Sequence, residues 1–327
     1  MTDTTRRSIL ASAAALPALT ALPGAAGAQG AWPERPVRIV VPFPPGGSND
    51  VLGRALAERL SPRLGQPVVI ENRGGAGGSI GADAVAKSTP DGYSLLFISS
   101  SLTTNAATQQ LPYNPATDFT AVAQVAVAPM IVVVSRDFEA RTFQDLLRIA
   151  RERPGRLRFG GAGPGDTSFF SGELLKMAAN IDMEAVAYRG IVDAQNDVAG
   201  GRIELVVTTL ASARALIDGG RLRVLAVAAE QRDAALPDVP TAREAGLDYV
   251  TGVWFGVFGP ARIPPAVTAR LNTEIGQVLT NDAGYREFLT RVGATAAPLS
   301  PEAFQAKLVA EVQRWTDVAR RAGVAIR

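Results

Sequence analysis

Two glycine-rich segments carry the residues whose types and spacing could do chemistry. The first, Val37–Leu64, passes from a β-branched apolar run through VPFPPGGSND into leucines that recur at helical spacing. A strand–loop–helix junction leaves the first N–H groups of the helix unpaired and aims them, with a partial positive charge, at one point. Ser48 or Asn49 is the expected cap of this helix. The segment therefore predicts a place suited to an anion.

The second segment, Leu157–Ala178, repeats the arrangement. It contains RFGGAGPGDTSFF, a glycine-rich loop before a helical pattern, and Thr167 or Ser168 is the expected cap. Two such loops on separate α/β units predict a ligand that is gripped from two sides, unless each loop only connects a strand to a helix. Neither segment contains GxxxxGK[ST] or a strict GxGxxG with an acidic residue at the right distance. Phosphate transfer and dinucleotide binding are therefore not expected.

The N-terminal residues are typical of an export signal. Thr5–Leu10 reads TRRSIL, an Ala/Leu-rich apolar stretch follows, and Ala26–Ala28 offers small residues for cleavage. The stretch contains Pro17 and is too short for a comfortable membrane span. We expect residues 1–28 to be removed near Ala28, giving a periplasmic protein with no direct membrane insertion. An uncleaved anchor is the alternative, and both the twin-arginine and the general secretory routes stay open.

The composition argues against several classes of protein. The chain has 327 residues, of which 47% are hydrophobic, enough for sizeable cores in about two domains. Its 33 basic and 31 acidic residues are interspersed, so no nucleic-acid partner is expected. It contains neither His nor Cys, so we expect no metal site and no cofactor. Without a His base, a Cys nucleophile or a GxSxG elbow, a secreted hydrolase is the weaker alternative to a binding protein.

Strand and helix patterns alternate along the chain. Ser94–Ser99 and Arg223–Ala228 read as strands, and Thr142–Glu152 reads as a helix. Two long helical patterns, Pro265–Leu279 and Pro301–Arg321, lie near the C-terminus. The alternation predicts βαβ units and therefore an α/β fold with mainly parallel sheets flanked by helices.

Several motifs, in this order, resemble the Bug-type receptors, the extracytoplasmic substrate-binding proteins of tripartite tricarboxylate transporters. The matching segments run through essentially the whole chain after the export signal: VPFPPGGSND, VIENRGGAGGSIGADAVAKSTPDGYSLLF, LPYNPATDFTAVAQVA, FGGAGPGDTSFFSGELLK, AYRG, LPDVPTAREAGL and WFGVFGPA.

The resemblance implies a two-lobed, Venus-flytrap fold of the periplasmic-binding-protein type. Lobe one would comprise residues 32–128 and 252–327, and lobe two residues 129–251. The resemblance also implies a monomer that binds a small carboxylate or a related organic solute and delivers it to the membrane subunits of a transporter. A sensor that docks on a signalling partner is the alternative within the same class.

The resemblance places the ligand between the two glycine-rich segments and on a few neighbouring walls. In such receptors the first loop holds a carboxylate through backbone N–H groups and ordered water. Asp50 could instead serve only the helix dipole, and Trp254 could instead be a core residue. The implied ligand-binding residues are Phe43, Pro44, Gly46, Gly47, Ser48, Asn49, Asp50, Ser100, Asn105, Gly161, Ala162, Gly163, Thr167, Ser168, Phe169, Tyr188, Arg189, Thr208, Thr209 and Trp254.

Three of these positions depart from the pattern of the family. Phe169 stands where relatives often carry His, and Thr208 and Thr209 stand where they often carry an acidic residue and Asn. The loss of an acidic group removes a partner for an ammonium ion, so the substitutions favour a carboxylate without an amine. A phenyl ring in place of imidazole favours apolar contact. The alternative is that Phe169 faces the core.

Overall fold

Strands and helices alternate along residues 32–321, the part of the chain that the computed structural model describes. The predicted export signal, residues 1–28, lies outside this range. The strands are β1 Val37–Val41, β2 Val68–Asn72, β3 Ser94–Ser99, β4 Phe119–Ser135, β5 Arg158–Gly161, β6 Glu184–Ala187, β7 Leu205–Thr208, β8 Leu222–Ala228, β9 Gly252–Pro260 and β10 Thr295–Ala296. The helices are α1 Ser48–Leu64, α2 Ser79–Ala86, α3 Ser101–Thr108, α4 Phe143–Glu152, α5 Thr167–Ala179, α6 Ile191–Ala199, α7 Leu210–Asp218, α8 Pro265–Asn281, α9 Ala283–Arg291 and α10 Pro301–Arg321.

The strands form one mixed sheet with the order β2-β1-β3-β9-β4-β7-β5-β6, and β8 and β10 also pair with β4. Among residues 32–321, four strand pairs are parallel and five are antiparallel. The expected α/β fold is therefore confirmed, but the expectation of mainly parallel sheets is wrong. The antiparallel pairs all involve β4 or β9. Local alternation of patterns cannot predict that β9 returns from late in the chain to lie between β3 and β4.

β4 changes partners along its length. Its first part pairs with β9 as far as Pro129, which lies opposite Gly252. From Met130 onward it pairs with β8, and from Ile131 also with β7. The strand therefore runs through both halves of the sheet, and the change falls next to the two predicted lobe boundaries. The division into two lobes itself stays a prediction.

The hydrophobic patterns explain why the main helices form and how they pack. Leu52, Leu56 and Leu60 of α1 are fully buried, as their spacing predicts for one helical face. α4 begins with a capping box, in which the Thr142 hydroxyl accepts from the Asp145 N–H and the Asp145 carboxylate accepts from the Thr142 N–H. Local sequence and tertiary burial thus favour the same elements.

Two elements differ from the sequence-based expectation. Residues Ser101–Thr108 form the helix α3, although no helical pattern marks them in the sequence. Ser, Thr and Asn give α3 no apolar periodicity, and it is stabilised instead by burial of nearly every residue. The sequence of α9 likewise has no clear helical pattern of apolar residues. In residues 32–321, no helix has the length and apolar character that a membrane span requires.

Candidate functional site

The two glycine-rich segments line one cavity, which we call the cleft. Its empty volume is about 490 Å³, part of which is open to solvent. The first glycine loop (residues 42–47) and the second glycine loop (residues 162–166) both contribute lining residues. The lining residues are Phe43, Pro44, Gly47, Ser48, Asn49, Ser99, Met130, Ala162, Asp166, Thr167, Ser168, Gly190, Ile191, Val192, Thr208, Thr209 and Val253.

Four helix N-termini contribute residues to the cleft. They belong to α1, α5, α6 and α7, whose capping positions are Gly47, Asp166, Gly190 and Thr209. The caps of α1, α6 and α7 make no side-chain hydrogen bond to their helix. The unpaired N–H groups and positive dipole ends of these helices therefore make the cleft attractive to an anion.

The first glycine loop ends in a glycine cap. Gly47, with φ of −74°, is the N-cap of α1, so the expectation of a Ser48 or Asn49 cap is wrong. Gly46 takes φ of +87°, a conformation that favours glycine. A glycine cap leaves the first N–H groups of α1 without a side-chain acceptor. Ser48 and Asn49 line the cleft beside them.

Asp50 supports the first glycine loop from outside the lining of the cleft. Its carboxylate accepts hydrogen bonds from the Gly46 N–H at 3.0 Å and from Asn72 Nδ2 at 2.8 Å, and it pairs with Arg54 at 2.9 Å. Burial raises the pKa of Asp50, but the bonds from Arg54, Gly46 and Asn72 together lower it below its ordinary value. These contacts give Asp50 a role in holding the first glycine loop. Its predicted contact with a ligand stays a prediction.

The second glycine loop ends at Asp166. Asp166 is the N-cap of α5 and its Oδ1 accepts from the Ser168 N–H at 2.8 Å, so the expected Thr167 or Ser168 cap is wrong. The Ser168 hydroxyl also donates to Asp166 and accepts from the Ala162 N–H. Burial raises the pKa of Asp166, and the bonds from Ser168, Thr167 and Ala162 oppose that rise only in part. The sequence did not identify Asp166 as the cap, although Asp is a preferred N-cap.

Thr208 ends β7, and both Thr208 and Thr209 line the cleft. The Thr208 hydroxyl accepts from Gln195 Nε2 at 3.0 Å and lies 2.8 Å from the Ser212 hydroxyl. Thr209 makes a longer contact of 3.5 Å with Ser212. The Thr208 hydroxyl is therefore held by its neighbours, whereas that of Thr209 is held more loosely.

Four predicted ligand residues line a different and larger cavity, the side groove. The side groove adjoins the outer face of the second glycine loop and includes Gly163, Phe169, Tyr188 and Arg189. The ring of Phe169 packs 5.6 Å from that of Phe159, and the Tyr188 hydroxyl donates to Asp197 at 2.9 Å. These residues line the side groove next to residues that line the cleft, and their contact with a ligand stays a prediction.

Ser100 and Asn105 do not line the cleft and instead connect α3 to the start of α5 and to the segment before α2. The Ser100 hydroxyl lies 3.2 Å from that of Thr167, and Asn105 Nδ2 donates to the Gly77 carbonyl at 2.7 Å. The Thr104 hydroxyl donates to the Gly165 carbonyl at 2.7 Å. α3 therefore positions the second glycine loop.

Trp254 and Gly161 also lie outside the lining of the cleft. Trp254 Nε1 donates to Glu311 at 2.6 Å, and its ring packs edge-on against Phe304. These contacts are those of a core residue. A Cβ on Gly161 would lie 2.6 Å from the Cα of Phe169, so glycine there allows β5 to pack closely against α5.

Sequence reasoning missed several apolar positions of the cleft. No local signal marks them, because distant strands and helices bring them to the cleft. The missed residues are Met130, Ile191, Val192 and Val253. Across residues 32–321, no group of three or more acidic residues is placed to hold a metal ion.

Comparison with known proteins identifies relatives along most of the chain. The model of the tripartite tricarboxylate transporter family receptors matches residues 52–324. Protein BugT of Bordetella pertussis is 34% identical over 300 residues, which cover 90% of this chain and 92% of BugT. A protein of Pseudomonas sp. strain P51, from the tcbD-tcbE intergenic region, is 37% identical over 289 residues, covering 87% and 85% of the two chains.

Solved structures agree in fold. The periplasmic binding protein BugD has a TM-score of 0.86 at 33% identity, covering 90% of this chain and 100% of BugD. An R. palustris protein solved with adipate has a TM-score of 0.87 at 37% identity, covering 90% and 100%. MatC from Rhodopseudomonas palustris, solved with bound malate, has a TM-score of 0.82 at 31% identity, covering 88% and 99%. The chain therefore belongs to the tripartite tricarboxylate transporter family of receptors, which are periplasmic solute-binding proteins and not enzymes.

Proposed function

We propose that the protein captures a small organic acid in the cleft and delivers it to the membrane subunits of a tripartite transporter. The observation that carries the proposal is the meeting of four helix N-termini in a cavity whose described lining contains neither Lys nor Arg. An anion there would be held by N–H groups, helix dipoles and water. The adipate and malate of two solved relatives support an organic acid.

The same family supports the proposed location and domain arrangement. Residues 1–28 would direct export and be cleaved near Ala28, giving a periplasmic receptor. Lobe one would comprise residues 32–128 with 252–327, and lobe two residues 129–251. The change of partners along β4, between Pro129 and Met130, supports this division. Mass spectrometry of the mature N-terminus would test the cleavage site.

Binding is tested by thermal shift followed by calorimetry with a panel of mono-, di- and tricarboxylates on the mature chain. A ligand that binds only the folded state raises stability by RT ln(1 + [L]/Kd), about 2.7 kcal/mol at a hundredfold excess over Kd. We expect one ligand per chain and no chemical change in the ligand. A panel in which no carboxylate raises the melting temperature would contradict the proposal.

Delivery to a transporter is tested by uptake of the labelled ligand in cells that lack the gene. We expect uptake to fall to background and to return with the wild-type gene but not with a binding-deficient Gly47→Val gene. Normal uptake with a lost transcriptional response to the ligand would instead favour the sensing role.

A further inference from the structure

The lining of the cleft combines positive helix ends with one negative residue. Asp166 is the only residue with an ionisable side chain among the described residues that line the cleft, and it is only 7% exposed. Its Oδ1 caps α5 by accepting from the Ser168 N–H. The other three helix N-termini at the cleft have no side-chain cap. A carboxylate buried beside a bound anion is costly unless a donor lies between them.

A second acceptor belongs to Asn49, which also lines the cleft. Asn49 is 6% exposed, and its Oδ1 has no hydrogen-bond partner among the described groups. Its Nδ2 makes one long bond, 3.4 Å, to the Ser99 hydroxyl. A buried acceptor without a donor costs about 1–3 kcal/mol. Because Asn49 lines the cleft, a ligand bound there is placed to supply the missing hydrogen.

Most of the remaining lining is apolar or already hydrogen-bonded, and the exceptions are the Ser48 hydroxyl and the loosely held Thr209 hydroxyl. Met130, Val192 and Val253 offer only apolar contact. The Thr208 hydroxyl is held by Gln195 and Ser212. A simple carboxylate with a hydrocarbon tail would therefore satisfy the helix N-termini but would leave both Asn49 and Asp166 facing it as acceptors.

We propose that the natural ligand is a carboxylic acid that carries a hydrogen-bond donor, a hydroxyl or an ammonium group, close to its carboxylate. This inference rests on the proposed function and narrows its ligand class. The carboxylate lies against the N-termini of α1 and α6, and the donor bonds to the carboxylate of Asp166. Asp166 thereby supplies the acidic partner that Thr208 and Thr209 lack.

The experiment is calorimetry with matched ligands: butyrate, 2-hydroxybutyrate and 2-aminobutyrate, and also succinate, malate and aspartate. We expect the hydroxy or the amino acid of each set to bind at least about tenfold more tightly than the parent acid. A tenfold gain in affinity is the lower end of what a hydrogen bond to a charged group contributes. Comparison of the hydroxy acid with the amino acid shows whether the protein prefers a hydroxyl or an ammonium donor. Asp166→Asn should remove most of the preference, because Asn can still cap α5 but carries no charge.

Asp282→Asn is the matched control, because Asp282 caps α9 in the same way, accepting from the Tyr285 N–H, and does not line the cleft. It should leave the preference unchanged. Equal affinity for parent and substituted acids, or an undiminished preference in Asp166→Asn, would overturn the inference while the proposed function stands. Uptake of about one proton on binding of the parent acids, with equal affinity, would show that Asp166 supplies the donor itself and would also overturn it. Failure of every acid to bind would contradict the proposed function as well.

Discussion

The hydroxyl of Thr104 donates to the carbonyl oxygen of Gly165 over 2.7 Å, and this buried bond joins α3 to the second glycine loop. The loop is close to α3 here, since a Cβ on Gly165 would fall 1.8 Å from Asn105 Oδ1. The position of the loop therefore depends on a helix that does not itself line the cleft.

Thr104→Val should weaken this connection with little change in side-chain volume. Because a buried carbonyl would lose its donor, we expect a loss of about 1–3 kcal/mol in the free energy of unfolding, measured by urea denaturation, and weaker ligand binding. Thr104→Ser should retain most of both. Thr316→Val is a further control, since the Thr316 hydroxyl bonds only within α10. Equal losses in the two valine variants would contradict the role of Thr104.

Gly46 and Gly47 should respond differently to substitution. Gly46→Val places a side chain at φ of +87° and should cost about 1–2 kcal/mol of stability. Gly47 has an ordinary φ, and a Cβ there would lie 3.6 Å from Ile191 at the cleft. Gly47→Val should therefore lower ligand affinity with less effect on stability.

Calorimetry and urea unfolding on the two variants separate these effects. Gly276→Val serves as the control for a new side chain, because a Cβ at Gly276 would meet nothing within 4 Å. Wild-type affinity in Gly47→Val would show that the first glycine loop is only a connector.

Asp50 should stabilise the fold above acidic pH. Its folded pKa lies below the ordinary value of 3.8, so its contribution is present above pH 3.8 and is lost as the pH falls through the folded value. Asp50→Asn should therefore be less stable than wild type at pH 7, by about 1–3 kcal/mol. The difference should shrink below pH 3.8 in urea unfolding. A difference that is constant with pH would exclude a charged role for Asp50.

The contribution of Asp166 to stability should depend on pH in the opposite direction. Its folded pKa lies above 3.8, so the folded state binds more protons and stability falls as the pH rises from that value towards the folded pKa. Asp166→Asn should therefore be more stable than wild type at pH 7 without ligand, and the gain should disappear near pH 3.8. Unfolding midpoints measured from pH 4 to 8 test this. A variant less stable than wild type at pH 7 would show that the cap outweighs the burial of charge.

The sequence predicts the elements that neighbouring residues determine. It does not predict the contacts that form only when distant strands and helices come together. Leu52, Leu56 and Leu60 identify α1 because one apolar face is enough to define a helix. Asp166 was not identified as the cap because the neighbouring Thr167 and Ser168 are also good caps and only the backbone decides between them. Met130 reaches the cleft through the change of partners along β4, which no local pattern records.

The side chain of Phe169 lines the side groove rather than the cleft. Its neighbours Thr167 and Ser168 line the cleft, whereas its own ring turns to Phe159 and the side groove. Adjacent residues at a helix N-terminus point in different directions, because each turn of helix takes 3.6 residues. A motif therefore predicts the loop that meets a ligand better than it predicts each contacting side chain.

The late return of β9 has a consequence for the order of folding. β9 lies between β3 and β4, yet it follows both by more than a hundred residues of chain. The pairings among β5, β6 and β7, and those of β7 and β8 with the end of β4, need only the chain up to residue 228. By contrast, β3 and the first part of β4 lack the strand that joins them until residues 252–260 are in place. Closing so long a loop is entropically costly, and such non-local pairing is slow. The insertion of β9 should therefore be the step that limits the rate at which this chain reaches its native state.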